Sequence, residues 1–159
     1  MGTKSIETLV EDIQALFGGH VFNPDTVNLF ASQLSNTVSE RFANYLEEQQ
    51  SYLRMSNVGR PLRQLWYDIK GEPPSEELSA DVKMKFLYGD FLESLLIVLA
   101  KEAGHRVTDE QMKVELDGVT GRIDTRIDDY IVDVKSGSTR SFEKFKTGRI
   151  VHDDPFGYI

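Results

Sequence analysis

The stretch "GRIDTRIDDYIVDVKSGS", Gly121 to Ser138, constrains the fold more than any other part of the chain. It sets four aspartates, two arginines and a lysine among Ile123, Ile127, Ile131, Val132 and Val134. β-Branched residues interleaved with polar ones read as strands with one buried face. Asp128-Asp129 between them reads as a tight turn. A β-hairpin therefore has to carry carboxylates beside its apolar residues. Asp124 falls near the middle of one predicted strand. Asp133 and Lys135 fall on the next, two residues apart, so their side chains share a face. With the turn at Asp128-Asp129, Asp124 and Asp133 approach across the ladder. Facing carboxylates repel one another, and a divalent cation between them removes the repulsion. The oxygen donors are hard, and the chain has no cysteine and no histidine near the hairpin, which favours Mg²⁺ or Mn²⁺ over Zn²⁺.

The chain has 159 residues, a length suited to one domain. Its first half reads as helical. "SIETLVEDIQALFGG" spaces Ile6, Leu9, Val10, Ile13, Leu16 and Phe17 for one helix face and stops at Gly18-Gly19. In the next helix Asn23 caps and Pro24 takes the first position, with Val27, Phe30, Leu34, Val38, Phe42 and Leu46 on one face. Ser56, Asn57 and Gly59 mark a turn, and Pro61 opens a short helix through Leu65, Trp66 and Ile69. A polar connector, "GEPPSEELS", leads to Ser79, the cap of a helix over about Ala80–Ala103 with Gly104 behind it. That helix is apolar on most sides from Phe91 to Leu99 and reads as central and buried. Three predicted strands follow, "HRVTDEQMKVELDG", "VTGRIDTRID" and "YIVDVKS", with turns at Asp117-Gly118 and Asp128-Asp129; "TRSFEKFKTGR" returns to helical or irregular structure. The expected class is α+β with an α/β-type core. A helical N-terminal half, 1–78, packs on a small mixed β-sheet within 79–159 that carries the metal site.

Glu93 adds a third acid. It sits among Phe91, Leu92, Leu95 and Leu96, where an unpaired carboxylate is costly. Aimed at the hairpin, it would complete an acidic metal site, with Lys135 beside the ion to orient a water or stabilise phosphate charge. The ordered set Gly89-x-x-x-Glu93, Gly121-x-x-Asp124 and Asp133-x-Lys135 resembles the three core motifs of the PD-(D/E)xK nuclease superfamily. The resemblance covers the chain from Ala80 onward and is nearest to the RecB-like and lambda-type phage exonuclease branch. Asp-x-Lys alone is a weak signal; the ordered trio is more specific.

The resemblance implies a Mg²⁺- or Mn²⁺-dependent deoxyribonuclease, a hydrolase of phosphodiester bonds. Asp124, Asp133 and the Val134 carbonyl would hold metal, and Glu93 would hold it directly or through water. Lys135 would position or activate the attacking water. It also implies a DNA-contacting segment in "RMSNVGRPLRQLWY", where Arg54, Ser56, Arg60 and Arg63 would meet phosphates. Surface charges with a Trp66-Tyr67 core are an equally compatible reading. Ser136, Ser138, Thr139 and Arg140 would hold a phosphate near the metal, with loop capping as the even alternative. His20, His105 and His152 read as surface or capping residues, and His152 with Asp153 and Asp154 as a tail. The branch usually has a Gln-x-x-x-Tyr motif on a helix after the third strand, and none is present here. The expectation is a shortened nuclease or a fragment. A second copy or a separate polypeptide would then supply the helix and cover Phe142, Phe145, Phe156, Tyr158 and Ile159. The rival functions are an endonuclease or junction resolvase on the same core, and a non-cutting fragment that binds DNA or a partner chain.

Composition narrows the classes further. The net charge of −8 argues against a histone-like nucleic-acid coat. Basic islands at 52–70 and 135–149 nonetheless interrupt the acidic chain, as phosphate-holding segments or as ordinary solvated surface. The absence of cysteine excludes disulfides, thiolate zinc sites and iron–sulfur clusters. The longest apolar run, "SLLIVLA", is too short to cross a bilayer, and acidic residues interrupt the apolar ones at the N-terminus, unlike a signal peptide. The expected location is cytoplasmic, in an infected bacterial host if the chain is phage-encoded.

Overall fold

The computed structural model describes residues 4–43, 53–70 and 79–149. The expectations for Leu46, the connector 71–78, His152, Asp153, Asp154, Phe156, Tyr158 and Ile159 lie outside these residues. The elements in chain order are a 3₁₀ turn Ile6–Thr8, then α1 Leu9–Leu16, α2 Pro24–Ala43, α3 Leu62–Lys70 and α4 Ala80–Glu102. They continue with β1 Val107–Thr108, β2 Lys113–Leu116, β3 Val119–Arg122, β4 Thr125–Ile127, β5 Tyr130–Val132 and α5 Thr139–Lys146. The class is α+β, with helices and small antiparallel sheets. The chain forms two compact units that interleave in sequence. The described parts of the first are 4–43, 79–112 and 123–135, and those of the second are 53–70, 113–122 and 136–149.

In the first unit the helix ends follow their capping residues. Asn23 accepts the Asp25 N–H at 2.9 Å and starts α2. Ser79 accepts the Val82 N–H at 3.4 Å and starts α4. Gly104, with φ +86°, follows the end of α4, where a residue without Cβ suits the left-handed turn. α2 packs along α4, and α1 meets α4 near its end. Leu16, Ile97, Val98, Leu99, Ala100 and Ile127 are the buried apolar side chains. Full burial of a Leu, Ile or Val side chain stabilises by roughly 1.5–3 kcal/mol. The buried run of α4 is thus 97–100, shorter than the expected Phe91–Leu99; Leu95 is exposed, and the residues from Phe91 to Ser94 are half-buried.

Five short strands replace the three expected from the sequence. β4 pairs antiparallel with β1 on one side and β5 on the other, within the first unit. The β4–β5 turn is Asp128-Asp129, with φ +48° and +73°. Asp128 is held in this conformation: its carboxylate accepts from the Arg106 N–H at 3.0 Å and lies 2.6 Å from His105 Nδ1. The segment "VTGRIDTRID" is broken at Ile123-Asp124. There Ile123 N–H donates to the Met112 carbonyl and Gln111 N–H to the Asp124 carbonyl, at 3.1 and 2.9 Å. Thr108 faces Arg126 and Lys113 faces Arg122, so four residues, 109–112, lie opposite three, 123–125. This is a β-bulge, with Asp109 and Gln111 at φ +55° and +51°.

In the second unit β2 and β3 form an antiparallel hairpin closed by Asp117-Gly118, both left-handed. The basic segment from Leu53 lies along β3: Arg54 bridges Thr120 in parallel, and Met55 N–H donates to the Thr120 carbonyl at 2.8 Å. Gly121 makes room for this docking, since a Cβ there would come 2.6 Å from Met55 Sδ. The expected mixed sheet is not observed; all named strands pair antiparallel, and the Arg54–Thr120 bridge is a parallel contact outside them. Leu65 of α3 is buried, while Trp66 and Tyr67 are exposed and meet edge to face with centroids 5.0 Å apart. Ser138 caps α5, accepting the Ser141 N–H at 3.2 Å.

Candidate acidic site

The bulge and the α4 helix bring Glu93 and Asp124 of the first unit into one neighbourhood, both in contact with Gln111. Asp124 sits in the junction before β4, not mid-strand, because the ladder breaks there. Its Oδ2 accepts the Val134 N–H at 2.7 Å, which ties it to the segment leaving β5. Asp133 and Lys135 lie just beyond β5, not within it. Their side chains share a face as expected from their spacing, with Lys135 Nζ 2.6 Å from Asp133 Oδ1. Both are open to solvent, Asp133 at 62% and Lys135 at 48% side-chain exposure, so this pair is weak and easily exchanged.

Glu93 is half-buried on α4. Burial raises its carboxyl above the ordinary range, and the negative charge of Asp124 raises it further. A hydrogen bond from the Gln111 side-chain amide opposes this, Asp90 adds to the rise, and Lys135 pulls it down. Asp90, one turn earlier on α4, is held by Arg41 of α2 through contacts of 2.5 and 2.7 Å. Glu93, Asp124 and Lys135 therefore belong to one electrostatic neighbourhood, and Asp133 joins it through Lys135. The donors are carboxylate oxygens and backbone groups, a set suited to Mg²⁺ or Mn²⁺. Among the described residues, no three acidic or imidazole side chains are grouped closely enough to hold a metal ion between them.

The proposed phosphate contacts fall in the second unit. Arg54, Ser56 and Arg63 are exposed and Arg60 is half-buried. Ser136, Ser138 and Arg140 are exposed, and Ser138 serves as a helix cap. His20 is an exposed residue beside Glu102, in line with the surface reading. His105 departs from expectation: its side chain is fully buried, with Nδ1 2.6 Å from Asp128 and Nε2 3.2 Å from Asp12. The Asp128 carboxylate of the β4–β5 turn makes that burial tolerable at Nδ1, and Asp12 of α1 places a charge near Nε2 without a hydrogen bond. Gln111 was not singled out by sequence. It lies in "TDEQM", which has no periodicity, and its contact with Glu93 depends on the bulge.

No family model, curated protein or solved structure matches the chain. Among the described residues, no helix is long and apolar enough to cross a membrane.

Proposed function

We propose that this chain is a divalent-metal-dependent deoxyribonuclease with a PD-(D/E)xK-type site. The observation that carries the reading is the 2.7 Å bond from the Val134 N–H to Asp124, which joins the second motif to the third. Glu93 faces the same place from α4. Glu93, Asp124, Asp133 and the Val134 carbonyl would hold Mg²⁺ or Mn²⁺. Bound there, the ion supplies Lewis acidity at a phosphate oxygen and a water acidified toward neutrality. The Val134 N–H fixes the Asp124 carboxylate while leaving it further acceptor capacity. Lys135 brings an ammonium to the acids, to orient the water and to balance charge at the scissile phosphate. Arg54, Ser56, Arg60, Arg63, Ser136, Ser138 and Arg140 would meet the DNA backbone. Exonuclease action of the phage type rests on the resemblance of motifs alone.

Incubation with linear and circular duplex DNA in Mg²⁺ or Mn²⁺ tests this reading. Loss of linear DNA with circular DNA intact is expected, and chelation or Asp124→Asn should stop it. Cutting of circular DNA would make the chain an endonuclease. DNA binding without cutting would make it a non-cutting nuclease-fold protein.

A further inference from the structure

The bulge opposite Asp124 places one side chain against the acids that the motif set does not contain. We infer that Gln111 is a positioning residue for the acidic site, holding Glu93 and Asp124 in register for a divalent cation. This rests on the metal-site reading proposed above. Gln111 makes two bonds to that site. Its N–H donates to the Asp124 carbonyl at 2.9 Å, and its side-chain amide donates to Glu93 Oε1. One residue thus spans the helix acid and the hairpin acid.

The surrounding segment is built to hold that position. Asp109 and Gln111 both take left-handed backbone, which is uncommon for residues with a Cβ and persists only when neighbours over-determine it. Those neighbours are present. Asp109 Oδ2 is 2.8 Å from Arg126 Nε. Glu110 Oε1 is 2.6 Å from Lys101 Nζ on α4, and Gln33 on α2 reaches Glu110 at 3.4 Å. Met112 N–H closes the turn on the Asp109 carbonyl at 3.2 Å. The segment is therefore pinned before Gln111, at Gln111 and after it. A neutral amide is the suitable group at this place. It donates to a carboxylate without adding charge that would compete with a cation, as an arginine or lysine would. Outer partners of this kind orient ligating carboxylates, and their loss typically costs about 10–100-fold in metal affinity.

The test is Gln111→Met, which keeps length and removes the amide, alongside wild type and Asp124→Asn. Mn²⁺ affinity is measured by calorimetry and the melting temperature without metal is measured in parallel. The expected result is a loss of Mn²⁺ affinity of roughly tenfold or more with the melting temperature nearly unchanged. The Mg²⁺ concentration for half-maximal cleavage should rise in step, and the rate at saturating Mg²⁺ should largely recover. A purely structural role would lower the melting temperature and would not be overcome by metal. Wild type that binds Mn²⁺ with Gln111→Met unchanged would overturn the assignment of Gln111 alone. Wild type that binds no Mn²⁺ would overturn the metal reading and this inference together. Should Gln111→Met fail to fold, the wild-type protein gives the answer by NMR. The Gln111 side-chain amide signals should move during a Mg²⁺ titration with the midpoint of binding, and fixed signals would overturn the inference.

Discussion

At the scale of one side chain, Lys135 and Asp133 form a close pair. Two residues apart beyond β5, they meet at 2.6 Å on an exposed face. An exposed pair of this kind stabilises by only about 0–1 kcal/mol, so its presence says little about stability. The ammonium matters because it sits in the neighbourhood of Glu93, where it opposes the rise of that carboxyl. Lys135→Ala should therefore leave the melting temperature and Mn²⁺ affinity nearly unchanged. It should lower cleavage by roughly a hundredfold or more, the size expected for a group acting at the water and phosphate. Cutting at the wild-type rate would place Lys135 on the solvated surface instead.

At the scale of elements, one carboxylate ties the last turn of α4 to the entry to α2. Glu102, in the last turn of α4, accepts the Asn23 N–H at 2.9 Å and lies 2.7 Å from His20 Nε2. Hydrogen bonds from Thr26, His20 and the Asn23 amide, in that order of weight, hold its carboxyl down at about 2. The folded value is depressed below the unfolded one. The stabilisation is accordingly complete above the unfolded value and is lost as pH falls through it toward the folded one. Glu102→Gln should melt below wild type at pH 6–7, and the gap should narrow between about pH 5 and pH 2. A gap independent of pH would mean that Glu102 acts by packing and not by charge. The β4–β5 turn works similarly. Burial pushes the Asp128 carboxyl up, but hydrogen bonds from His105 and the Arg106 amide outweigh it and hold the group below its usual value.

At the scale of the whole molecule, the proposed acidic site implies that folded stability responds to cations. Glu93 and Asp124 repel as neighbours, and an ion that binds only the folded chain adds stability by mass action, about 2.7 kcal/mol at a hundredfold excess over Kd. Wild type should melt several degrees higher in saturating Mn²⁺. Asp124→Asn keeps an acceptor for the Val134 N–H and removes the repulsion. It should melt at or above wild type without metal and gain little from Mn²⁺. An equal Mn²⁺ shift in both proteins would place the ion elsewhere.

The sequence alone determined the parts that depend on a few neighbouring residues. Asn23-Pro24 and Ser79 start their helices, and Asp117-Gly118 and Asp128-Asp129 turn their hairpins, because caps and two-residue turns are satisfied within three or four residues. The candidate acids were legible too, as an ordered pattern of carboxylates in apolar surroundings, though their positions were read too regularly. Ile123 and Asp124 look like strand, and only the extra residue between β1 and β2 breaks the ladder there. His105 looks like a surface residue after a helix; its burial required Asp12 and Asp128 to arrive from two other segments. Gln111 carries no local signal at all. Its place against Glu93 follows from a left-handed backbone that Arg126, Lys101 and the Asp124 carbonyl hold from outside. The tertiary structure alone decided these contacts, because bonds between segments distant in sequence depend on how the chain packs, and local pattern does not encode that.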